Sequence, residues 1–147
     1  MEEIIQKYLQ KGEFKKALNL LEIYKDKESN NVALNYYFGK VYFQLNDHKK
    51  SLFYFRKCNQ INPGNPKILY NLAQVLQGQG KIDEAKKIYE KLIKQNSTDI
   101  KSYYGLFNLG IKNINDDHEI KLQKLSNDKK INLFDKCLVN FILSKLK

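Results

Sequence analysis

The chain has 147 residues, a formal net charge of +10 and a hydrophobic fraction of 42%. This length predicts one domain, and the apolar fraction is too high for a chain that is mainly disordered. Seven glycines and two prolines are too few for an all-β protein with many tight turns. No apolar run reaches the roughly 18 residues of a membrane helix, and the acidic start lacks the apolar stretch of a signal peptide. We therefore expect a cytoplasmic protein.

The excess of basic residues is almost entirely lysine. Arg56 is the only arginine, although arginine is best suited to bidentate contacts with phosphate and guanine. The lysines are scattered along the chain and form no block. The charge therefore does not by itself favour nucleic-acid binding.

The chain has two cysteines, Cys58 and Cys137. Two thiols are too few for a disulfide framework or for a zinc site made of thiolates. We expect both to be ordinary buried thiols in a reducing compartment.

Residues of similar size recur along the chain with a period of 34 residues. The small residues are Ala17, Ser51 and Ala85, the large residues are Leu21, Phe55 and Tyr89, and the turn residues are Gly12, Asn46 and Gly80. Residues that recur at the same position of the period form a column, and several such columns predict a repeat architecture.

Each period predicts two amphipathic helices. In the third period, a first helix over 66–77 has its apolar residues at helical spacing and is ended by Gly78 and Gly80. Asp83 and Glu84 then lie in the first turn of a second helix, where acids complement the helix dipole. Pro66 is expected at a first helical position. The small residues are expected where two helices cross closely.

These residues resemble the tetratricopeptide repeat family, whose pattern has a large residue, Leu-Gly, Tyr, Ala, Phe and Pro at fixed steps. The second period reads Asn35, Phe38-Gly39, Tyr42, Ser51, Phe55 and Pro63, and the third reads Leu69, Leu72-Ala73, Leu76, Ala85, Tyr89 and Ser97. The resemblance covers residues 2–111. It implies an all-α solenoid of stacked antiparallel helix pairs, wound as a right-handed superhelix.

The predicted repeat units are 1–31, 32–65, 66–99 and a degenerate unit over 100–126, all within one domain. The fourth unit begins with a helix over 100–111, but the repeat register fails afterwards, and a short helix is expected around 117–125. A last helix over about 130–146 has Phe134, Cys137, Leu138, Phe141 and Ile142 on one stripe. We expect this stripe to pack as a cap on the open end of the stack.

Catalysis finds little support in the sequence. The two histidines, His48 and His118, are far apart, and there is no glycine-rich phosphate loop. The cluster over 116–119 contains three acids and one histidine, but an acidic first turn of a helix explains it better than a metal site does. Asp47 and His48 are expected in a solvated turn. We predict no enzyme activity, no cofactor and no metal.

In the family that the sequence resembles, the first helix of each pair lines a concave groove. The resemblance places these residues there: Tyr36, Lys40, Phe43, Gln44, Lys67, Tyr70, Asn71, Gln74, Gln77, Lys101, Tyr104 and Asn108. Tyrosine offers a large apolar area with a hydrogen-bonding tip. The tyrosines are expected both to contact a ligand and to pack between neighbouring helices. The first helix adds Glu2, Gln6 and Gln10.

The predicted function is a non-catalytic protein-interaction module, an adaptor or scaffold that binds an acidic or tyrosine-accommodating peptide in this groove. Some family members clamp the C-terminal carboxylate of chaperones with Lys and Asn pairs. Lys67 and Asn71 match one part of that clamp, but Gly105 stands where a second basic residue is needed. An alternative is the N-terminal repeat region of a larger enzyme, since the tail, with Leu133-Phe134-Asp135, is similar to the linker of repeat–sulfotransferase fusions.

Overall fold

The computed structural model describes residues 1–27 and 29–147. In these residues the α-helices are α1 (Glu2–Gln10), α2 (Phe14–Lys25), α3 (Val32–Gln44), α4 (His48–Ile61), α5 (Pro66–Gly78), α6 (Ile82–Gln95), α7 (Ile100–Asn108), α8 (Asp116–Asn127) and α9 (Leu133–Leu146). A short 3-10 helix, Ile111–Asn113, follows α7. The described part of the chain has no β-strand, so the predicted all-α helical-repeat fold is confirmed. None of the described helices combines the length and the apolar character that crossing a membrane requires.

The chain divides into two compact units, residues 1–80 and 81–147. The first unit holds α1–α5, and the second holds α6–α9. In the first unit, α3 packs against α1, α2, α4 and α5. Since α3 touches both α1 and α5, the first helices of the repeats are neighbours there. The division into a single domain of repeat units stays a prediction from the sequence.

The turn inside each helix pair is built by a residue with positive φ. Gly12, Asn46 and Gly80 have φ values of 72°, 59° and 74°. Glycine reaches this left-handed region without strain, and asparagine tolerates it better than most residues do. The three positions form one column of the repeat, so the predicted turn chemistry is confirmed.

The predicted close crossing of α3 and α4 is also confirmed. A Cβ atom at Gly39 would lie 2.9 Å from the Phe55 ring, so only glycine lets α3 and α4 approach this closely. The Ser51 hydroxyl donates a 2.7 Å hydrogen bond to the Gly39 carbonyl oxygen across the same crossing. Ala17 and Ala85 are fully buried on α2 and α6.

Two sequence predictions in the first unit, for the Cys58 thiol and for the turn at His48, have different outcomes. Cys58 is buried, as predicted, and burial raises the pKa of its thiol to about 12. His48 does not lie in a solvated turn. It begins α4, its Nδ1 atom is buried without a hydrogen-bond partner, and its ring lies edge-to-face on Phe43 at 5.4 Å.

In the second unit, the chain after α7 departs from the predicted boundaries. The helix ends at Asn108 and not near 111, because Gly110, with φ of 136°, turns the backbone into the short 3-10 helix. The expected short helix is present as α8. Asn115 caps it by accepting from the His118 backbone N–H at 2.9 Å.

The predicted packing of α9 is right for Ile142 and wrong for most of the larger residues of the stripe. The helix buries Val139 and Ile142, whereas Phe134, Cys137 and Phe141 of the predicted stripe are exposed. The neighbours α7 and α8 cover the side of the helix that holds Val139 and Ile142. The prediction that Cys137 is a buried thiol is wrong for the same reason.

The close packing around Ala85 leads to a stability prediction. Ala85→Leu should lower the free energy of unfolding by about 1–3 kcal/mol, because Ala85 is fully buried and added methylenes overpack such a position. Lys87→Leu is the matched control, since Lys87 is exposed on the same helix. Thermal melts compare the two variants, and an equal melting temperature for Ala85→Leu and the parent would contradict the assigned crossing.

Candidate functional site

Nine of the predicted groove residues lie in the first unit, on α3 and α5. The two helices pack side by side. Their N-terminal turns are set by asparagine caps: the Asn31 side chain accepts from Leu34 N–H, and the Asn65 side chain accepts from Lys67 and Ile68 N–H. Pro66 follows Asn65 as the first residue of α5, as predicted. The caps thus fix where each helix starts and which side chains share its open side.

Tyr36 is a core residue of this unit, with only 8% of its surface exposed. Its ring packs edge-to-face on Tyr37 and on Phe55, with 5.7 Å between ring centroids in both pairs. Burial raises the pKa of its phenol, against the effect of a hydrogen bond from Asn71. Of the two roles expected for this tyrosine, packing between helices therefore dominates.

Two lysine ammonium groups lie over the ring of Tyr36. The Lys67 Nζ atom is 4.8 Å from the ring centroid, and the Lys40 Nζ atom is 5.9 Å from it. Aromatic faces attract cations at such distances. In the residues that the structure describes, neither ammonium group has a carboxylate in ion-pair range. The arrangement is a pair of positive charges from α3 and α5 without a protein counter-ion.

The charge of Lys67 acts on Lys40. Burial lowers the pKa of Lys40 from its ordinary value of 10.5, and the nearby charge of Lys67 lowers it further. Both causes disfavour the charged form of Lys40. A negative group placed between the lysines would relieve this repulsion. The site is therefore electrostatically suited to an anion.

Amide side chains join the first helices of neighbouring repeats. Asn71 Nδ2 donates to the Tyr36 hydroxyl at 3.2 Å and to the Lys67 carbonyl oxygen at 2.7 Å. On the other side of α3, Gln6 Nε2 donates to the Tyr37 hydroxyl at 2.7 Å. These bonds hold α1, α3 and α5 in register. Tyr37 was not among the predicted groove residues, although it lies one period of 34 residues before the predicted groove residue Asn71, and that spacing is the signal that could have found it.

The other groove residues of the first unit lie along the same two helices. Tyr70 is half-buried, and its hydroxyl is 3.5 Å from Gln74 Nε2. Gln77 and Phe43 are half-buried as well, while Gln44 is exposed. Unlike Tyr36, Tyr70 is thus partly exposed to solvent. Lys67 and Asn71 lie close to it in the sequence of α5.

The remaining predicted groove residues, Lys101, Tyr104 and Asn108, lie on α7 of the second unit. Lys101 and Asn108 are exposed, and Tyr104 is half-buried. The Tyr104 ring stacks on Phe107 at 6.4 Å, and Phe107 meets Phe141 edge-to-face at 5.7 Å. Phe107 and Phe141 were not predicted as site residues, since the repeat register is lost after α7.

The acidic cluster at the start of α8 is explained by local structure. His118 belongs to the capping box with Asn115, and Asp117 pairs with Lys121 at 2.6 Å. Desolvation lowers the pKa of His118, against the effect of Asp117. In the described part of the chain, no group of three potential metal ligands comes together.

This arrangement of stacked helix pairs with small residues at the crossings defines a helical-repeat protein. Residues 43–106 match the family model described as tetratricopeptide repeat. The predicted resemblance to this family is thereby confirmed over this segment. A comparison with curated proteins found no match.

Solved structures with the same fold include other proteins of this class. The first TPR of Spaghetti (RPAP3) bound to the HSP90 peptide SRMEEVD matches with a TM-score of 0.67 and 19% identity, over 74% of this chain and 86% of that chain. MamA from Desulfovibrio magneticus RS-1, residues 41 to the end, matches with a TM-score of 0.67 and 20% identity, over 98% and 89%. YrrB, a TPR protein with an unusual peptide-binding site, matches with a TM-score of 0.63 and 15% identity, over 95% and 83%. At these identities the similarity is one of fold.

Proposed function

We propose that this protein is a non-catalytic interaction module that binds an acidic peptide segment on the exposed side of α3 and α5. Lys40 and Lys67 hold a carboxylate of the peptide, and Tyr70 packs against an adjacent side chain. The protein acts as an adaptor that recognises one partner segment. No cofactor takes part, because the proposed mechanism is binding to a preformed surface.

The observation that carries this proposal is the pair of lysines over one buried ring. A buried tyrosine fixed by Asn71 gives the two ammonium groups a rigid base. Rigid sites lose little entropy on binding, so less of the interaction energy is spent on ordering. A carboxylate is the group on a peptide that best neutralises the charges of two adjacent lysines.

The comparisons support a peptide as the ligand class. One protein of the same fold is bound to the peptide SRMEEVD, which contains two adjacent glutamates and ends in an aspartate. A second is described by its peptide-binding site. The acidic character of the partner is inferred from the positive charges of Lys40 and Lys67. The peptide SRMEEVD serves as a probe for these two charges.

A titration with two labelled peptides tests the proposal. We expect the protein to bind SRMEEVD measurably by fluorescence anisotropy and to bind SRMQQVN, which lacks the acidic side chains, at least about fivefold more weakly. Tyr70→Ala should weaken SRMEEVD binding by about fivefold, since tyrosine is enriched among residues that dominate binding energy. Equal affinity for both peptides, or no binding of either, would overturn the proposal.

The lowered pKa of Lys40 predicts a pH dependence of binding. A bound carboxylate favours the charged form of Lys40, so affinity is highest while this lysine is protonated. Affinity should fall as pH rises through its pKa, which lies below 10.5. Anisotropy titrations from about pH 7 to about pH 10 measure this fall.

Lys40→Arg provides the comparison for this prediction. Arginine stays protonated throughout the range, so the variant should lose part of the pH dependence. The same fall in both proteins would show that Lys40 does not hold the anion.

A further inference from the structure

Fewer residues of α9 are buried than its apolar composition predicts. Nine of its 14 residues are apolar, and they are distributed around most of the helix. Helices of this kind are usually buried on several sides. Yet α9 buries only Val139 and Ile142, whereas α3, which has a comparable composition, buries eight residues between its neighbours in the first unit. Among the residues that the structure describes, one side of α9 therefore has no packing partner.

The uncovered side forms a continuous stripe. Phe134, Cys137 and Phe141 follow one another at steps of three and four, which places them on one face of the helix. Leu133 and Phe134 are 78% and 75% exposed, and Phe141 is 45% exposed. Large side chains exposed together in this way mark an interaction surface more often than scattered apolar residues do.

The stripe is partly fixed in place by α7. Phe141 meets Phe107 edge-to-face at 5.7 Å, and Phe107 stacks on Tyr104 at 6.4 Å. The apolar surface therefore continues from α9 onto α7. Two helices that share an apolar surface form the type of groove into which an amphipathic helix packs.

A positive charge adjoins this surface. Lys145 Nζ lies 5.7 Å from the Phe141 ring centroid, and Lys136 is exposed on the same helix. The acid on α9, Asp135, accepts from its neighbour Asn132 at 2.6 Å and is half-buried. A second copy of this chain would bring like charges together, because each α9 carries Lys136 and Lys145. The charges instead complement an acidic partner.

We propose that the surface formed by Leu133, Phe134, Cys137, Phe141 and Phe107, the α9 face, is a docking site for an amphipathic helix of another protein whose polar side is acidic. Apolar residues of that helix, such as leucines, cover the stripe. The carboxylates of the same helix lie near Lys145 and Lys136. This site is separate from the one proposed on α3 and α5, and the failure of either proposal would leave the other unaffected.

A synthetic helix tests this inference. The probe is a fluorescein-labelled peptide of about 20 residues, with leucine at helical steps of three and four and glutamate and alanine elsewhere. The full chain should bind it, and Phe134→Gln should weaken binding at least about fivefold. Phe134 is 75% exposed, so the variant should keep the helix content of the parent by circular dichroism. Lys145→Glu should weaken binding as well, most strongly at low salt.

Phe53→Gln is the matched control, because Phe53 is 61% exposed on α4 of the first unit. Loss of binding with Phe134→Gln but not with Phe53→Gln supports the α9 face. Equal losses, or no binding by the parent, would overturn it. A dimer in sedimentation velocity that Phe134→Gln converts to monomer would also overturn it, since a second copy would then cover the stripe. Phe134-dependent binding to phosphatidylserine vesicles, without binding to the peptide, would overturn it in favour of a lipid surface.

Discussion

Gly105→Ala should destabilise the second unit by about 1–3 kcal/mol, as overpacking of a well-filled interior typically does. A Cβ atom at this position would lie 2.5 Å from the Tyr89 ring, and Tyr89 is almost fully buried. Because the ring is almost fully enclosed, making room for the Cβ atom must displace either the ring against its neighbours or α7 from α6. The measurement is the melting temperature of the variant against that of the parent.

A second variant shows whether the ring is the cause. In a Tyr89→Leu background the obstructing ring is absent, so adding Gly105→Ala should cost little. It should even be favourable by up to about 1 kcal/mol, because alanine is a better helix former than glycine. If Gly105→Ala costs the same in both backgrounds, the close approach of α7 to Tyr89 is not what requires glycine.

The regular part of the fold could be predicted because two kinds of signal agree. Ala17, Ser51 and Ala85 recur with the same period as the turn residues Gly12, Asn46 and Gly80. Helix crossings demand small side chains, and left-handed turns demand glycine or asparagine. Local and tertiary requirements therefore appear in the sequence at the same spacing. After Gly110 the period ends, and the predicted boundaries become wrong by a few residues.

The packing side of α9 could not be read from its own residues. A helix that is apolar on most sides has no unique buried face, and its neighbours decide which residues are covered. Val139 and Ile142 face α7 and α8, although Phe134 and Phe141 are larger. The predicted stripe was therefore right at Ile142 and wrong at Phe134 and Cys137, which are exposed.

The site on α3 and α5 was predictable in part. Repeat spacing placed Lys67, Tyr70 and Asn71 on one helix, and they do lie together on α5. It did not distinguish Tyr36 from Tyr70, although the first is buried and the second is half-exposed. The difference comes from Phe55 and Tyr37, whose rings enclose Tyr36. A column of equal residues thus contains one core tyrosine and one surface tyrosine.

Lys67→Glu should weaken binding of the SRMEEVD peptide at least about tenfold, which corresponds to about 1.4 kcal/mol. The change removes the ammonium group nearest the Tyr36 ring and places a negative charge beside the peptide carboxylates. Salt should reduce the affinity of the parent more than that of the variant, because ions screen the attraction that the variant lacks. Anisotropy titrations at two salt concentrations measure both effects.

Lys15→Glu is the control for net charge. Lys15 is exposed on α2, outside α3 and α5, and its reversal changes the total charge by the same amount. We expect its affinity to stay within about twofold of the parent. If Lys15→Glu and Lys67→Glu weaken binding equally, the attraction comes from the overall charge of +10 and not from a site.

Amide chemical-shift mapping tests the central claim most directly. Labelled protein is titrated with unlabelled SRMEEVD, and the shift changes are assigned along the chain. Binding between Lys40 and Lys67 should concentrate the largest changes in α3 and α5, around residues 36–44 and 67–77. Largest changes on α2 or on the Phe53 side of α4, or no change at saturating peptide, would contradict the account.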